Sequence, residues 1–588
     1  MLGCILADSA WGRGQLRRVE STAPSIRGCE KMGTVPSADS TIADFQGFGA
    51  ARSGLSSIFS QPLMEGARRL ALAVFCTTLL AFLLPSAGAA NLADEVAEIL
   101  TAKVAKRAFW GIKVVDLATG ETVYANNAGK LFLPASNAKL FSTGLGLFRL
   151  GPEYFYTTSI VSNGASLDGV LTGDLVILGG GDPNLSARVI PYDSEKEFSK
   201  DLLLPMKELA TQIVNSGIRK IEGDIVGDDT RYVWQKYSPG WSMDDATWGY
   251  GAPISALSFN DNLVKVRVLP ALTSRSLARI TFRPDVPYLS LENSLWTAPT
   301  RTVAKGLNLR REQGSRKVSL WGDISIRSRG RTLSIAVDDP ALFTAVALQQ
   351  ELERRGVEVT GAPMAKHALP HEFPSLKRVP EPKVKTYATK LAELRSATLI
   401  ESLRIINKES QNLHAEMLLR EVGFRLRGVG SLQAGLLELK DFLKEVGLSP
   451  DEFQLNDASG LSRRNLVSPD AVVKLLSYIW DSPHRDDFVG TLPLAGEDGT
   501  LDWRFSKTPA RGLIRAKTGT LAHVTAISGY ATTQDGRHLA FSVMTNNYGV
   551  QASYVRSLAD KICVALIRPL SETVEGSATP VAAQPSSP

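Results

Sequence analysis

LPASNAKLFSTGLGLFRLG, residues 133–151, is the stretch on which the reading turns. Ser136 and Lys139 stand three apart just after Pro134, and the apolar residues Leu140, Phe141, Leu145 and Phe148 follow at helical spacing. Positions i and i+3 of a helix share a face, so the Lys139 amine comes within reach of the Ser136 hydroxyl. A serine hydroxyl is a weak nucleophile until a neighbouring base takes its proton. A lysine is such a base only where burial, a helix N-terminus or a second cation disfavours its ammonium form. The pair alone carries little weight, because Ser-x-x-Lys arises by chance about two or three times in a chain of this length.

Two further stretches change that weight. Ser410, Gln411 and Asn412 open the helical run NLHAEMLLREV, where a serine by itself reads as a helix cap. Lys517, Thr518 and Gly519 lie in RAKTGTL at the end of an expected strand. A Lys-Thr-Gly triplet is expected by chance only about 0.1 to 0.2 times in such a chain. In this order the three elements match the Ser-x-x-Lys, Ser-x-Asn and Lys-Thr-Gly set of penicillin-binding proteins and serine β-lactamases.

The chain further resembles the D-alanyl-D-alanine carboxypeptidase/endopeptidase family, the class C low-molecular-mass penicillin-binding proteins. Lys139 and Ser410 are 271 positions apart, a gap that in this family holds extra domains. Family-like segments are GGGDPNLS (179–186), GDIVGDDT (223–230), YGAPISALSFNDN (250–262), LNDASGLSRRNLVSP (455–469) and LPLAGEDGTL (492–501). The resemblance implies that Ser136 is the acylated nucleophile and Lys139 its general base. It implies that Ser410 relays a proton to or from the leaving amine and that Asn412 holds the substrate amide. Lys517 and Thr518, followed by Gly519, would bind the terminal carboxylate, a role suited to a cation beside a hydroxyl donor. The backbone N–H groups of Ser136 and Thr520 would form the oxyanion hole. Arg463 falls where the family places a substrate-contacting arginine. Ala522 stands where some relatives carry a polar residue, which bears on recognition of diaminopimelate. The implied partners are peptidoglycan peptides and β-lactam antibiotics. A β-lactamase or esterase using the same serine, and a non-enzymatic wall-binding scaffold, are the competing readings.

Outward from these motifs, both ends of the chain predict one sheet. A helix over 91–106 precedes strands at 110–117 and 121–124. Strands at 513–517, 524–531 and 538–545 precede a helix at 554–566. Together they predict an antiparallel sheet covered by terminal helices. Between them, strands at 175–178 and 220–226 flank a helix at 197–214 in βαβ order. Alternating β runs then fill 263–337, and a helix follows at 341–355. The expected fold is α/β in the α+β sense: a penicillin-binding/β-lactamase-like transpeptidase domain with an antiparallel sheet and helices. It occupies residues 91–158 and 380–568 in two segments. An inserted α/β domain occupies 159–262 and 338–379, and a smaller nested β-rich domain occupies 263–337.

Residues 64–90 join Arg68 and Arg69 to an apolar run and then small residues, the pattern of a cleaved signal peptide, so export to the periplasm is expected. The apolar run is shorter than the roughly 20 residues that span a bilayer. Translation from Met64 would leave residues 1–63 as an unstructured, non-native extension. The tail 569–588, rich in Pro, Ser and Ala, is expected to be disordered. Three of the four cysteines precede the cleavage site, leaving Cys563 without a disulfide partner and placed for burial in ICVALI. No HExxH, CxxC or Walker-type loop is present, so neither a metal nor another cofactor is expected. With 66 Lys and Arg against 60 Asp and Glu, the charge is mild and reads as spread along the chain. That excludes a nucleic-acid partner; peripheral association with the membrane or wall, and the oligomeric state, stay open.

Overall fold

A computed structural model of the chain describes residues 92–299, 306–370 and 376–569. The expected signal peptide, the residues before it and the tail from residue 570 lie outside the described residues. No helix among the described residues is long and apolar enough to cross a membrane.

The two ends of the described chain build a five-stranded antiparallel sheet. Its order is Thr122–Asn126, Phe109–Asp116, His538–Asn546, Val524–Thr532 and Ile514–Leu521. Side chains alternate across it: Leu539, Phe541 and Val543 face one core, Ala540 and Met544 the other. The first face packs on the helices Leu92–Leu100 and Ala552–Leu566, where Cys563 is fully buried. The second face packs on a helical layer built from Ala138–Leu150, Leu399–Lys408, Asn412–Arg427, Leu432–Glu445 and Pro469–Trp480. The first helix stops well short of the expected residue 106. Thr101 Oγ1 donates to the Glu98 carbonyl, and a separate turn at Ala105–Arg107 is held by Trp110 Nε1 donating to Ala105 O at 3.1 Å.

Between Ala138–Leu150 and Leu399–Lys408 the chain makes two further sheets that share their strands. Val170–Thr172 runs on into Leu175–Leu178, Lys220–Glu222 into Ile225–Val233, and Glu358–Val359 into Pro363–Ala368. The first member of each pair lies in a four-stranded sheet, the second in a five-stranded one. Glycines make the crossing points narrow enough: a Cβ on Gly223 would sit 2.4 Å from the Gly173 backbone, and one on Gly361 2.3 Å from the Gly223 carbonyl. Asp174 accepts the Asp224 N–H and Asp224 accepts the Ala362 N–H, each at 2.9 Å. The run expected as one strand over 220–226 is therefore two strands in two sheets. Leu175–Leu178 and Ile225–Val233 are parallel neighbours, as a βαβ unit requires. The intervening helix is Leu204–Asn215, shorter than expected, because Pro205 has no N–H to bond and fits only the first turn.

Residues 263–337 form two three-stranded sheets around Val266, Val268, Leu295, Val318, Leu320 and Ile335. The charge is not evenly spread, contrary to the reading from composition. This stretch holds 14 Lys and Arg against four Asp and Glu, in a chain whose net charge is +6.

Candidate active site

Lys139 opens the helix Ala138–Leu150, while Ser136 lies just ahead of it in the turn Ala135–Asn137. Ala135 is held at φ 47°, a left-handed conformation that a side chain disfavours. The turn is anchored from the sheet, where Asn137 Nδ2 donates to Ser528 Oγ at 2.6 Å. Two glycines let other segments close on it. A Cβ on Gly460 would lie 1.8 Å from Ala135 O, and one on Gly519 would lie 2.9 Å from both Pro134 O and Ser136 N. The Lys-Thr-Gly triplet is thus not at the end of its strand, as its glycine suggested. It lies within Ile514–Leu521, at the point where the bare backbone passes the turn that carries Ser136.

Lys139 is fully buried, and its Nζ meets three oxygens: Ser136 Oγ at 3.0 Å, Asn412 Oδ1 at 2.6 Å and Ser459 O at 2.6 Å. Burial lowers its pKa from 10.5 to about 7, against the opposing fields of Asp457 and Glu416.

Ser410 is not the helix cap. Gln411 takes that place, its side chain accepting the Leu413 N–H at 3.1 Å, and the helix begins at Asn412. Ser410, at φ 58°, is left free to accept from Lys517 Nζ at 2.8 Å. Lys517 also donates to Thr518 O at 2.9 Å; burial, and then the neighbouring Lys139, hold its pKa well below the ordinary lysine value. Asn412 Nδ2 donates to Tyr250 O at 2.8 Å, and Thr518 Oγ1 donates to Thr500 Oγ1 at 2.9 Å.

Ser136, Ser410, Asn412, Arg463 and Thr520 line one cavity of about 370 Å³, which also takes in Asp245 and Tyr250. The buried Lys139 and Lys517 reach it through Ser136 and Ser410. Arg463 stands exposed at the rim, its Nη1 donating to Ala522 O at 3.4 Å. Ser136, Ser410 and Asn412 thus meet at one cleft with Lys139 and Lys517 behind them, although Ser136 and Lys517 are 381 positions apart in the chain; Thr518 and Gly519 do not line it.

Two buried carboxylates behind the cleft escaped sequence reasoning. Glu416 Oε1 accepts the N–H groups of Ala458 and Ser459, each at 3.0 Å, while its Oε2 accepts from Ser238 Oγ and Arg420. Asp457 accepts from Gly460 N, Ser462 N, Ser459 Oγ, Trp241 Nε1 and Asn465 Nδ2. Between them they fix the loop that presents the Ser459 carbonyl to Lys139. Asn412, Glu416 and Arg420 recur four apart and so share one face of the helix, but His414, Glu421, Arg425 and Arg427 on the same helix keep that stripe from standing out in the sequence.

Comparison with known proteins gives a consistent result. A model of the D-Ala-D-Ala carboxypeptidase 3 (S13) family matches residues 92–566. The chain is 32% identical over 487 residues to a D-alanyl-D-alanine carboxypeptidase of Actinomadura sp. (strain R39), covering 81% of this chain and 84% of that protein. It is 25% identical over 477 residues to the D-alanyl-D-alanine carboxypeptidase DacB of Haemophilus influenzae, covering 79% and 90%. The crystal structure of penicillin binding protein 4 from Haemophilus influenzae superimposes with a TM-score of 0.67 at 24% identity, covering 80% of this chain and 98% of that one, a likeness of fold.

Proposed function

Because this chain belongs to the D-Ala-D-Ala carboxypeptidase 3 (S13) family, we propose that it is a serine peptidase of the periplasm. In this reading it trims D-alanine from peptidoglycan stem peptides and cuts D-Ala to diaminopimelate cross-links. One observation carries the reading: the three contacts of Lys139. A neutral amine has two N–H donors and one lone pair. The two carbonyl oxygens at 2.6 Å, from Asn412 and Ser459, take both donors, so the lone pair is left facing Ser136 Oγ at 3.0 Å. With a pKa brought down to about 7, a large share of Lys139 is in that state near neutrality.

Ser136 Oγ attacks the penultimate D-Ala carbonyl carbon as its proton passes to Lys139. The N–H groups of Ser136 and Thr520 receive the oxyanion. The C–N bond then breaks, the departing amine gains a proton through Ser410, and the acyl group stays on Ser136 as an ester. Water, giving its proton to Lys139, hydrolyses that ester and restores the serine. Two lysines buried at one site share charge poorly, and burial together with the neighbouring Lys139 disfavours the ammonium form of Lys517. A substrate carboxylate beside Lys517 and Thr518 supplies the missing counter-charge, placing the proton on Lys517 and leaving Lys139 free to act as base. Asp245 and Arg463, lining the same cavity, offer a carboxylate and a guanidinium to a zwitterionic side chain such as that of diaminopimelate.

A β-lactam presents the same carboxylate and a strained amide, and is proposed to acylate Ser136 and to leave slowly. Purified wall fragments test the reading: the mature chain is expected to release D-alanine from pentapeptide monomers and to split cross-linked dimers. Fragments unchanged under conditions where a related enzyme works would defeat it, and fast multiple turnover of penicillin would favour a β-lactamase instead.

A further inference from the structure

Beside the catalytic cleft lies a second cavity of about 490 Å³ that shares Tyr250, Ser410 and Asn412 with it. It contains none of Gly460, Leu461, Arg463 or Leu521, which bound the other side of the cleft. It opens instead toward the basic β-rich part of the chain, and Lys265, Thr332 and Ser334 form its wall. These residues point outward from the three-stranded sheet Arg279–Arg283, Leu263–Leu269 and Arg331–Ala336, whose Val264, Val266 and Val268 point inward.

The register of that sheet puts Lys265 opposite Arg283 and Arg267 opposite Thr281, with Arg279 two residue pairs beyond, opposite Leu269. On the third strand Ser334 and Thr332 stand opposite Lys265 and Arg267. Like charges facing one another across strands destabilise a sheet. Among the described residues no carboxylate pairs with Lys265, Arg267, Arg279 or Arg283. They contact instead the Phe198 ring, under Lys265 at 4.5 Å, the Thr332 hydroxyl and backbone carbonyls. The acids that line the cavity are occupied elsewhere: Asp261 and Glu197 pair with Arg188, and Glu409 accepts from the Tyr192 hydroxyl. A repulsive cation pair therefore stands uncompensated at the exit of a cavity that begins at Ser410.

We propose that this cavity and the basic sheet face beyond it are the subsite for the leaving strand, the anionic stem peptide released as an amine when a cross-link is cut. The inference rests on the peptidase reading and deepens it. Ser410, the group that hands a proton to the departing amine, is shared by both cavities, so the departing strand runs from the cleft into the second. Carboxylates along that strand meet Lys265 first and Arg283 next. Free D-alanine carries one carboxylate, which the peptidase reading places at Lys517 and Thr518, and has none left for Lys265 or Arg283, so the subsite serves the cross-link and not the pentapeptide end.

The test compares K265E with wild type on two defined substrates, a pentapeptide monomer and a cross-linked dimer, at low and high salt. An acid at position 265 faces Arg283 with opposite charge but gives up the Phe198 ring and joins the acids of the cavity, so an unchanged kcat/KM on the monomer is the control for folding. The ratio of dimer to monomer kcat/KM should fall about fivefold to tenfold at low ionic strength, and the gap to wild type should narrow as salt screens it. An unchanged ratio, or equal slowing on both substrates, would overturn the subsite alone. A wild type that cuts only the monomer would also overturn it, whereas one that cuts neither overturns the peptidase reading and the subsite with it.

Discussion

Lowering the pH from 8 to 5 should slow acylation of Ser136 about a hundredfold, because a base with a pKa near 7 is about nine-tenths neutral at the first pH and about one-hundredth neutral at the second. The slope should reach one decade per unit below pH 6 and flatten above 8. An ordinary exposed lysine would behave differently, with a neutral fraction of only about 0.0003 at pH 7 and a rate still climbing at pH 10. Burial of Nζ against Asn412 and Ser459 thus supplies about three orders of magnitude of active base. Stopped-flow acylation by a fluorescent penicillin, read across pH 5 to 10, measures this directly. The depressed pKa also acts on folding. Below pH 7 both folded and unfolded chains carry the proton, and the folded one does so at a penalty. Between about 7 and 10.5 only the unfolded chain carries it, so stability rises with pH through that window by up to about 1.4 kcal/mol per unit. Lys139→Met should abolish acylation and remove that rise from the stability difference between variant and wild type. A rate that is flat through the acidic limb, or that climbs without a bend to pH 10, would refute Lys139 as the base.

Two substitutions probe the frame around it. Gly519→Ala places a methyl 2.9 Å from Pro134 O and Ser136 N, about half an ångström inside ordinary contact, and neither backbone atom can swing away. Acylation should fall about tenfold or more with little change in KM for a peptide substrate, since small displacements at reacting groups are felt in rate; wild-type rates would contradict the close approach. Asp457→Asn replaces one acceptor oxygen by a donor where five donors converge, and should destabilise by about 2–4 kcal/mol, seen as a lower Tm. Loss of that charge also removes one of the two fields holding the Lys139 pKa up, so the acid limb of the surviving activity should move to lower pH.

The sequence exposed the parts of this molecule that depend on local chemistry. Lys517-Thr518-Gly519 is rare enough to be informative by itself, and residues 538–545 read as a strand by alternation, although burial of both its faces shows only in the structure. The β strands and helices at the two ends needed only period and turn signals to be assigned to one sheet. What stayed hidden depends on partners far away in the chain. Gly223 falls inside what the sequence presents as one strand over 220–226, yet it lets one strand cross Gly173 between two sheets. Ser410 reads as a cap until Gln411 is seen to do that work. Glu416 looks like an ordinary helix-surface acid, because nothing local shows that Ala458 and Ser459 will bring their N–H groups to it. The opposition of Lys265 and Arg283 exists only once the register of two strands is known.

The central claim is that Ser136, with Lys139 beside it, forms the covalent intermediate. Mass mapping of the purified protein after brief exposure to penicillin tests it most directly. A single adduct is expected on the peptide containing Ser136, absent from Ser136→Ala and from Lys139→Met. An adduct on another residue, or full labelling of Lys139→Met at neutral pH, would contradict it.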